Sequence, residues 1–466
     1  MPAGRQLQRC GNLRFLNNRR LYIYLAIILV YAVYSVAFAS SGGEGGDAEG
    51  GHGGPVLDVL LHLVVVLLAA KLGGDLFERV SQPAVLGELV IGMILGNLHL
   101  IGIDGFQEFS HDIVLEVLAE LGVIILLFEV GLESSISEMM SVGVTSFLVA
   151  IFGVVTPFFL GWGVGAWFMP EASMYVHVFI GATLTATSVG ITARVLKDIG
   201  RIQTREAKII LGAAVIDDIL GLVILAVVAG IISAAGAGSG NGVSSLGILW
   251  IIGKAVLFIL GAVIVGSYIL PTVFKLGFRL KVKGVFLSFC LLVCFTLAFV
   301  AGEIGLAPIV GAFAAGLILD EVHYREFYDR GEHKVEELIA PIATFLVPIF
   351  FVRMGMMVDL TTFGEVEILG FAAVLTLAAI IGKQVCSLAV FDRGIKKAAI
   401  GLGMIPRGEV GLIFAGIGAK LMIDGHPVVS TATYSAVVIM VIVTTLVTPP
   451  ALKTLMLRDK SERLAG

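Results

Sequence analysis

Charged residues are scarce in this chain of 466 residues, at 14%, against 58% hydrophobic residues and a mean hydropathy of +1.00. Apolar runs of eighteen or more residues recur from end to end, as they do in proteins with several transmembrane helices. The chain also lacks a polar stretch long enough to form a second, soluble domain, because its longest polar loop is residues 320–337. We therefore predict an all-α polytopic membrane protein.

Cysteine is also scarce. The four cysteines are Cys10, Cys290, Cys294 and Cys386, and three of them lie in apolar runs. Their number and spacing predict neither a disulfide framework nor a metal site. We expect no cofactor. The net charge of −5 indicates no particular partner, and we expect no nucleic-acid partner.

The apolar runs predict about thirteen transmembrane helices after residue 55. Lysine and arginine alternate sharply between the loops, with 21 on one predicted side and 2 on the other. Cytoplasmic loops carry the excess of these residues, so the C-terminus is predicted to be cytoplasmic. The predicted helices are residues 56–72, 83–98, 112–130, 142–168, 175–197, 206–232, 246–274, 284–302, 304–319, 341–358, 368–391, 395–419 and 430–456.

The N-terminal segment has the features of a leader. Five arginines precede an apolar run and Ala37-Phe38-Ala39, which resembles a cleavage site for a signal peptide. A removed signal peptide is favoured over a retained extra helix. The predicted organisation is a leader at 1–39, a Gly-rich extracytoplasmic tail at 40–55, a membrane domain at 56–457 and a cytoplasmic tail at 458–466.

Three ionisable residues fall near the middle of predicted helices. Asp217 and Asp218 are adjacent in the sixth helix, and Lys383 lies in the eleventh. An ionisable group at this depth costs on the order of 3 kcal/mol or more and usually marks an ion or proton pathway. An unpaired ammonium would be equally expensive, which predicts that a carboxylate of the pair contacts Lys383. The carboxylates are therefore the candidate ion-binding site.

Two predicted helices are interrupted at the same depth. Residues 183–192 contain several hydroxyls and a glycine, and residues 401–411 contain a proline, four glycines and two opposite charges, Arg407 and Glu409. Such sequences weaken the helical hydrogen bonding, and unpaired backbone in a membrane must line a cavity or be buried in protein. We predict two crossed, broken helices in inverted repeats, with Arg407 and Glu409 balancing the half-helix dipoles. An ordinary kink with a local salt bridge is the alternative for either helix alone.

Taken together, these motifs resemble those of bacterial monovalent cation/proton antiporters, in particular NapA-like sodium/proton antiporters with paired aspartates. The resemblance covers the chain from Val56 to the last helix. It implies a thirteen-helix fold with a mobile core domain, about 142–232 and 368–456, and a remainder that is largely a dimerisation scaffold. It also implies an elevator mechanism and a homodimer. The motifs are residues 185–192, 215–218, 350–356, 382–383 and 405–411.

The same resemblance assigns roles to individual residues. Asp218 would be the principal carboxylate that binds the cation or the proton. Asp217 would pair with Lys383 and exchange this ion pair for a protonated state during transport. An Asp-Asp pair goes with electrogenic exchange in this family. The remaining assigned positions are Thr187 and Ser188 near the ion, and Pro406, Arg407 and Glu409 as stabilisers of the second broken helix.

The expected function is therefore secondary transport and not enzymatic catalysis. Protons and a monovalent cation would compete for one carboxylate in the bilayer. The expected cation is Na⁺, and Li⁺ and K⁺ remain possible. The expected location is the bacterial inner membrane, or a thylakoid-type internal membrane in a photosynthetic source. A K⁺/H⁺ antiporter and a sodium-coupled organic anion symporter remain alternatives. An intramembrane aspartyl protease is disfavoured because adjacent aspartates cannot easily face each other, and a channel because no repeated filter is seen.

Overall fold

The computed structural model of the chain describes most of the predicted membrane domain. The predicted leader at 1–39, nearly all of the tail at 40–55 and the tail at 458–466 lie outside the described residues. The described residues are 55–80, 82–103, 106, 112–133, 143–236, 245–277, 280, 282, 284–319, 334–391, 394–423 and 425–457.

Within these ranges the chain forms fifteen α-helices and one short β-hairpin, which confirms the predicted all-α class. The helices are α1 (Pro55–Arg79), α2 (Ala84–Gly96), α3 (Ile113–Glu133), α4 (Val144–Phe168), α5 (Met174–Thr183), α6 (Val189–Asp198), α7 (Arg205–Gly236), α8 (Ser245–Gly277), α9 (Val285–Glu303), α10 (Pro308–Ile318), α11 (Val335–Met356), α12 (Val366–Val385), α13 (Lys397–Gly403), α14 (Gly408–Lys420) and α15 (Thr431–Leu457).

Each of the thirteen predicted segments contains a helix or a pair of half-helices. The fifth segment is broken between α5 and α6, and the twelfth is broken between α13 and α14, as expected. By length and composition seven of the described helices can cross a membrane, and eight if α13 and α14, bent by 45°, count as one span. Five predicted segments do not meet this criterion. The helix α2, the half-helices α5 and α6 of the fifth segment, and α10 are each shorter than the roughly 20 residues of a full crossing, α8 counts as an apolar helix only over Leu249–Ala262, and α3 carries four glutamates.

Three details differ from the sequence-based expectation. Helix α1 continues to Arg79 instead of ending near 72, and α11 begins at Val335 instead of 341. Both extensions are polar helix ends, which a criterion of apolar runs leaves out. The connection from α14 to α15 contains an antiparallel hairpin, Met422–Ile423 with His426–Pro427, where only a loop was expected.

The chain packs as two compact units. The first comprises the described part of Met1–Glu120 together with Pro348–Met357. Here α1 and α2 approach through two glycines, since a Cβ on Gly87 would lie 2.0 Å from the carbonyl oxygen of Gly73. Small residues permit such close helix packing in membranes. This unit also contains an ion pair between Arg353 and Glu116, with 3.4 Å between Nη2 and Oε2.

The second unit comprises the described parts of Leu121–Val347 and Val358–Gly466, and it contains all the candidate site residues. Helix α4 packs against α5, α7 and α12, and α12 packs against α15. The contact between α4 and α12 depends on Gly382, where a Cβ would lie 2.9 Å from Cα of Pro157. Because Gly382 precedes Lys383, this close approach fixes the position of the lysine in the packed core.

Candidate ion-binding site

The two helix breaks lie against each other. The backbone N–H of Ser188 donates to the carbonyl of Pro406 at 2.7 Å. The hydroxyl of Thr192 donates to the carbonyl of Gly403 at 2.6 Å, and that of Thr187 donates to Met404 at 3.4 Å. The last carbonyls of a helix have no partner within the helix. Groups from the first break therefore satisfy the carbonyl end of α13.

Two cations satisfy backbone carbonyls in the break that follows α5. The ammonium of Lys383 donates to the carbonyl of Thr185 at 2.7 Å. The guanidinium of Arg407 donates to the carbonyl of Ala186 through Nη1 and to that of Ala379 through Nη2, the latter at 3.2 Å. Both side chains are completely buried. A helix C-terminus carries partial negative charge, so these two cations stabilise the break between α5 and α6.

Lys383 is also ion-paired with the first aspartate of the pair. Its Nζ lies 2.8 Å from Oδ1 of Asp217, and both side chains are 0% exposed. The other oxygen of Asp217, Oδ2, makes no hydrogen bond within the described part of the chain. Gly153 of α4 leaves room beside the pair, since a Cβ there would lie 3.6 Å from both charged atoms. The site therefore holds a desolvated, neutral ion pair.

The second aspartate has a different environment. Asp218 is 9% exposed, and it makes no hydrogen bond or salt bridge to any residue that the structure describes. Adjacent helical residues point about 100° apart, which explains why only one of the two carboxylates reaches Lys383. The charged neighbours of Asp218 are Asp217, Glu409 and Lys383. Two of these three neighbours are carboxylates, and the ammonium of Lys383 is ion-paired with one of them, Asp217.

Ser188 and Glu409 connect the two breaks on the side of Asp218. The hydroxyl of Ser188 donates to both carboxylate oxygens of Glu409, at 2.9 and 3.1 Å. Glu409 lies in the first turn of α14, where a helix favours negative charge. Gly408 permits this contact, because it has a φ of +43° and a Cβ on it would lie 2.5 Å from Cβ of Ser188.

The structure thus brings together the residues that the sequence singled out. Thr187 is 1% exposed and neighbours the carboxylate of Asp217. Arg407 was expected to balance the second broken helix. It lies at that break, but its hydrogen bonds reach the first break and α12. The sequence-based reasoning missed the carbonyls of Thr185, Ala186 and Ala379, which have no side-chain signal. It also assigned no role to Thr192, although this residue ends the conspicuous run of hydroxyls.

Two broken helices whose ends meet around buried carboxylates define a fold of secondary transporters. A family model described as "Sodium/hydrogen exchanger, transmembrane" matches residues 63–458. The chain belongs to this family, and the resemblance seen in the sequence is confirmed. It is therefore a multi-pass membrane protein of a cation/proton exchanger family, and the predicted activity class is confirmed with it.

Two relatives and one solved structure illustrate the similarity. The chain is 40% identical over 438 residues to the high-affinity Na⁺/H⁺ antiporter NhaS3 of Synechocystis sp., covering 87% of this chain and 91% of that protein. It is 35% identical over 410 residues to the Na⁺/H⁺-K⁺ antiporter GerN of Bacillus cereus, covering 87% and 98%. The sodium proton antiporter MjNhaP1 of Methanocaldococcus jannaschii matches with a TM-score of 0.63 and 16% identity, covering 86% of this chain and 97% of that one. The last match shows a shared fold.

Proposed function

We propose that the chain exchanges Na⁺ for protons, and that both ions bind to Asp218. One observation carries this proposal: Asp218 is buried, makes no ion pair within the described residues and has two other carboxylates as neighbours, those of Asp217 and Glu409. A buried carboxylate in such a place is costly unless a cation or a proton neutralises it. Either ion satisfies this requirement, and each excludes the other.

This competition makes the exchange obligatory. With neither ion bound, the site would have to cross the apolar barrier carrying an uncompensated charge, which is expensive at low dielectric. Movement is therefore restricted to the proton-loaded and the cation-loaded forms. Each time the site reaches the other side of the membrane, it must release the bound ion before the other ion can bind. No source of energy beyond the two ion gradients is needed.

The neighbouring groups have supporting roles in this proposal. Asp217 exchanges its ion pair with Lys383 for a protonated state during the cycle, so that additional charge moves and transport is electrogenic. Hydroxyl oxygens suit a hard cation such as Na⁺, and Thr187 and Ser188 offer them beside the carboxylates. Pro406, Arg407 and Glu409 hold the second break against the first, as their contacts across the breaks support.

We also propose that the chain has the domain organisation and the dimeric assembly that its resemblance to the family implies. Residues 142–232 and 368–456 form a mobile core that moves as an elevator against a scaffold, and two copies of the chain form a homodimer. The membrane is the bacterial inner membrane. Sodium is the preferred cation because the names of NhaS3 and GerN both include it. The name of GerN also includes potassium, so K⁺ is the second candidate.

The proposal is tested in proteoliposomes with an acidic interior and a trapped pH dye. Addition of Na⁺ outside should dissipate the pH gradient in the wild type and leave it intact in Asp218→Asn. A matched control is Glu303→Gln, which neutralises an exposed carboxylate at the end of α9 and should behave as the wild type. Equal responses of the wild type and Asp218→Asn would show that Asp218 does not bind the transported ions.

The same vesicles compare the cations. Adding Na⁺, Li⁺ or K⁺ at equal concentration ranks them by the initial rate at which the pH gradient dissipates. A response to K⁺ as strong as the response to Na⁺ would favour the second candidate.

A further inference from the structure

A groove lies on the surface of the second unit between α13 and α15. Its volume is about 620 Å³, which is within the range of small-molecule sites. The lining is apolar apart from one threonine hydroxyl. The lining residues are Leu402, Leu446, Val447, Pro450, Ala451, Thr454 and Leu455.

The groove runs along α15, which supplies six of its seven lining residues. Pro450 lies inside this helix and has no N–H to donate to the carbonyl four residues earlier, which is that of Leu446. From Leu446 to Leu455 the helix rises about 14 Å, roughly half of the 30 Å hydrocarbon thickness of a bilayer. The groove therefore has the depth of one leaflet, and its surface suits an acyl chain.

Lysines mark one end of the groove. The ammonium of Lys396 donates to the carbonyl of Leu455 at 2.9 Å, which fixes the beginning of α13 to the end of the groove. Lys397, the next residue, is exposed. Lys453 is also exposed, and it lies three residues after Pro450 and seven after Leu446, on the same stripe of the helix. Two exposed positive charges therefore adjoin an apolar groove.

The orientation of the chain gives these charges a partner. The count of lysine and arginine predicts that this end of α15 faces the cytoplasm. Anionic lipids concentrate in the cytoplasmic leaflet, and basic pockets between helices on this side bind their headgroups. A zwitterionic lipid would fill the groove equally well but would gain less from the lysines.

We propose that this groove is a specific site for an anionic phospholipid of the inner leaflet, with the acyl chain against α15 and the phosphate at Lys397 and Lys453. The bound lipid connects α13 to α15. Because the carbonyl end of α13 accepts hydrogen bonds from Thr192 and Thr187 at the ion site, lipid binding stabilises one end of the second break.

The experiment uses purified full-length protein in detergent and two lipids, phosphatidylglycerol and phosphatidylethanolamine. Binding is measured by native mass spectrometry, and stabilisation by the shift in melting temperature on adding each lipid. The variant Lys397→Gln/Lys453→Gln should bind phosphatidylglycerol about 30-fold more weakly, from the contribution of two lysines near an anionic group. Its binding of phosphatidylethanolamine should stay at the wild-type level.

Two further variants make the test specific. Lys208→Gln/Lys275→Gln removes two exposed lysines on the same predicted side, on α7 and α8, which contribute no residue to the lining of the groove, and should bind both lipids as the wild type does. Val447→Trp places a large ring in the groove and should weaken the binding of both lipids. The proposal is overturned if Lys397→Gln/Lys453→Gln keeps the wild-type preference for phosphatidylglycerol, or if the control pair loses it equally.

Discussion

The ion pair between Lys383 and Asp217 gives the sharpest prediction about stability. Both side chains are 0% exposed, and Nζ lies 2.8 Å from Oδ1. Removing one partner of such a pair leaves an uncompensated buried charge, which costs about 3–5 kcal/mol. Asp217→Asn should therefore lower the free energy of unfolding by this amount, and Lys383→Gln by at least this amount.

The double variant separates the charge effect from the other contacts. Lys383→Gln also leaves the carbonyl of Thr185 without its donor, at a cost of about 1–3 kcal/mol. This loss is the same whether position 217 carries aspartate or asparagine, so it cancels in a double-mutant cycle. The Asp217→Asn/Lys383→Gln protein holds no unpaired charge from this pair. It should be more stable than the sum of the single effects predicts, by about 2 kcal/mol or more.

The free energies are measured by equilibrium unfolding of the purified protein in mixed micelles with increasing denaturing detergent. Asp217→Asn/Glu303→Gln provides a second cycle between distant groups, for which the effects should be additive within about 0.5 kcal/mol. Additive effects for Asp217 and Lys383 as well would refute the view that the two charges stabilise each other in the core.

Two other predictions concern packing and pH. Gly382→Val should lower transport at least about tenfold and destabilise the protein by about 1–3 kcal/mol, because Pro157 already occupies the space of a Cβ at this position. The control Gly163→Val, where a Cβ meets no atom within 4 Å, should have little effect. Ion flux and thermal unfolding of both variants test this prediction. Burial raises the pKa of Asp112, but hydrogen bonds from His62, at 2.5 Å, and from two backbone N–H groups outweigh it and hold the pKa below its usual value. A carboxyl group whose pKa is lowered by folding stabilises the fold above about pH 4, and this stabilisation is lost as the pH falls below that value. The melting temperature should therefore fall less between pH 6 and pH 3 in Asp112→Asn than in the wild type. Equal falls in the two proteins would contradict this.

Much of the site could be predicted from the sequence because charged side chains and unpaired backbone groups have a high free-energy cost inside a membrane. Proline and glycine at membrane depth indicated where the two helices break. A lone lysine at that depth predicted its carboxylate partner, and the structure has that pair. In both cases a local feature of the sequence was incompatible with lipid, and the number of ways to accommodate it was small.

The remaining features depend on contacts between distant parts of the chain. Arg407 donates to the carbonyls of Ala186 and Ala379, and any residue type offers a carbonyl, so no sequence pattern marks these partners. The same holds for the approach of Gly382 to Pro157, which depends on how α4 and α12 pack. The different environments of Asp217 and Asp218 also follow from packing, because only the helices around α7 decide which of the two carboxylates meets Lys383.

The most direct test of the account is the apparent KM for Na⁺ as a function of pH, measured from initial exchange rates in proteoliposomes with the same pH on both sides. If one proton and one Na⁺ compete for Asp218, the KM should rise about tenfold for each pH unit in the acidic range while the rate at saturating Na⁺ stays constant. A KM that does not change with pH, with only the maximal rate affected, would contradict competition at a single carboxylate.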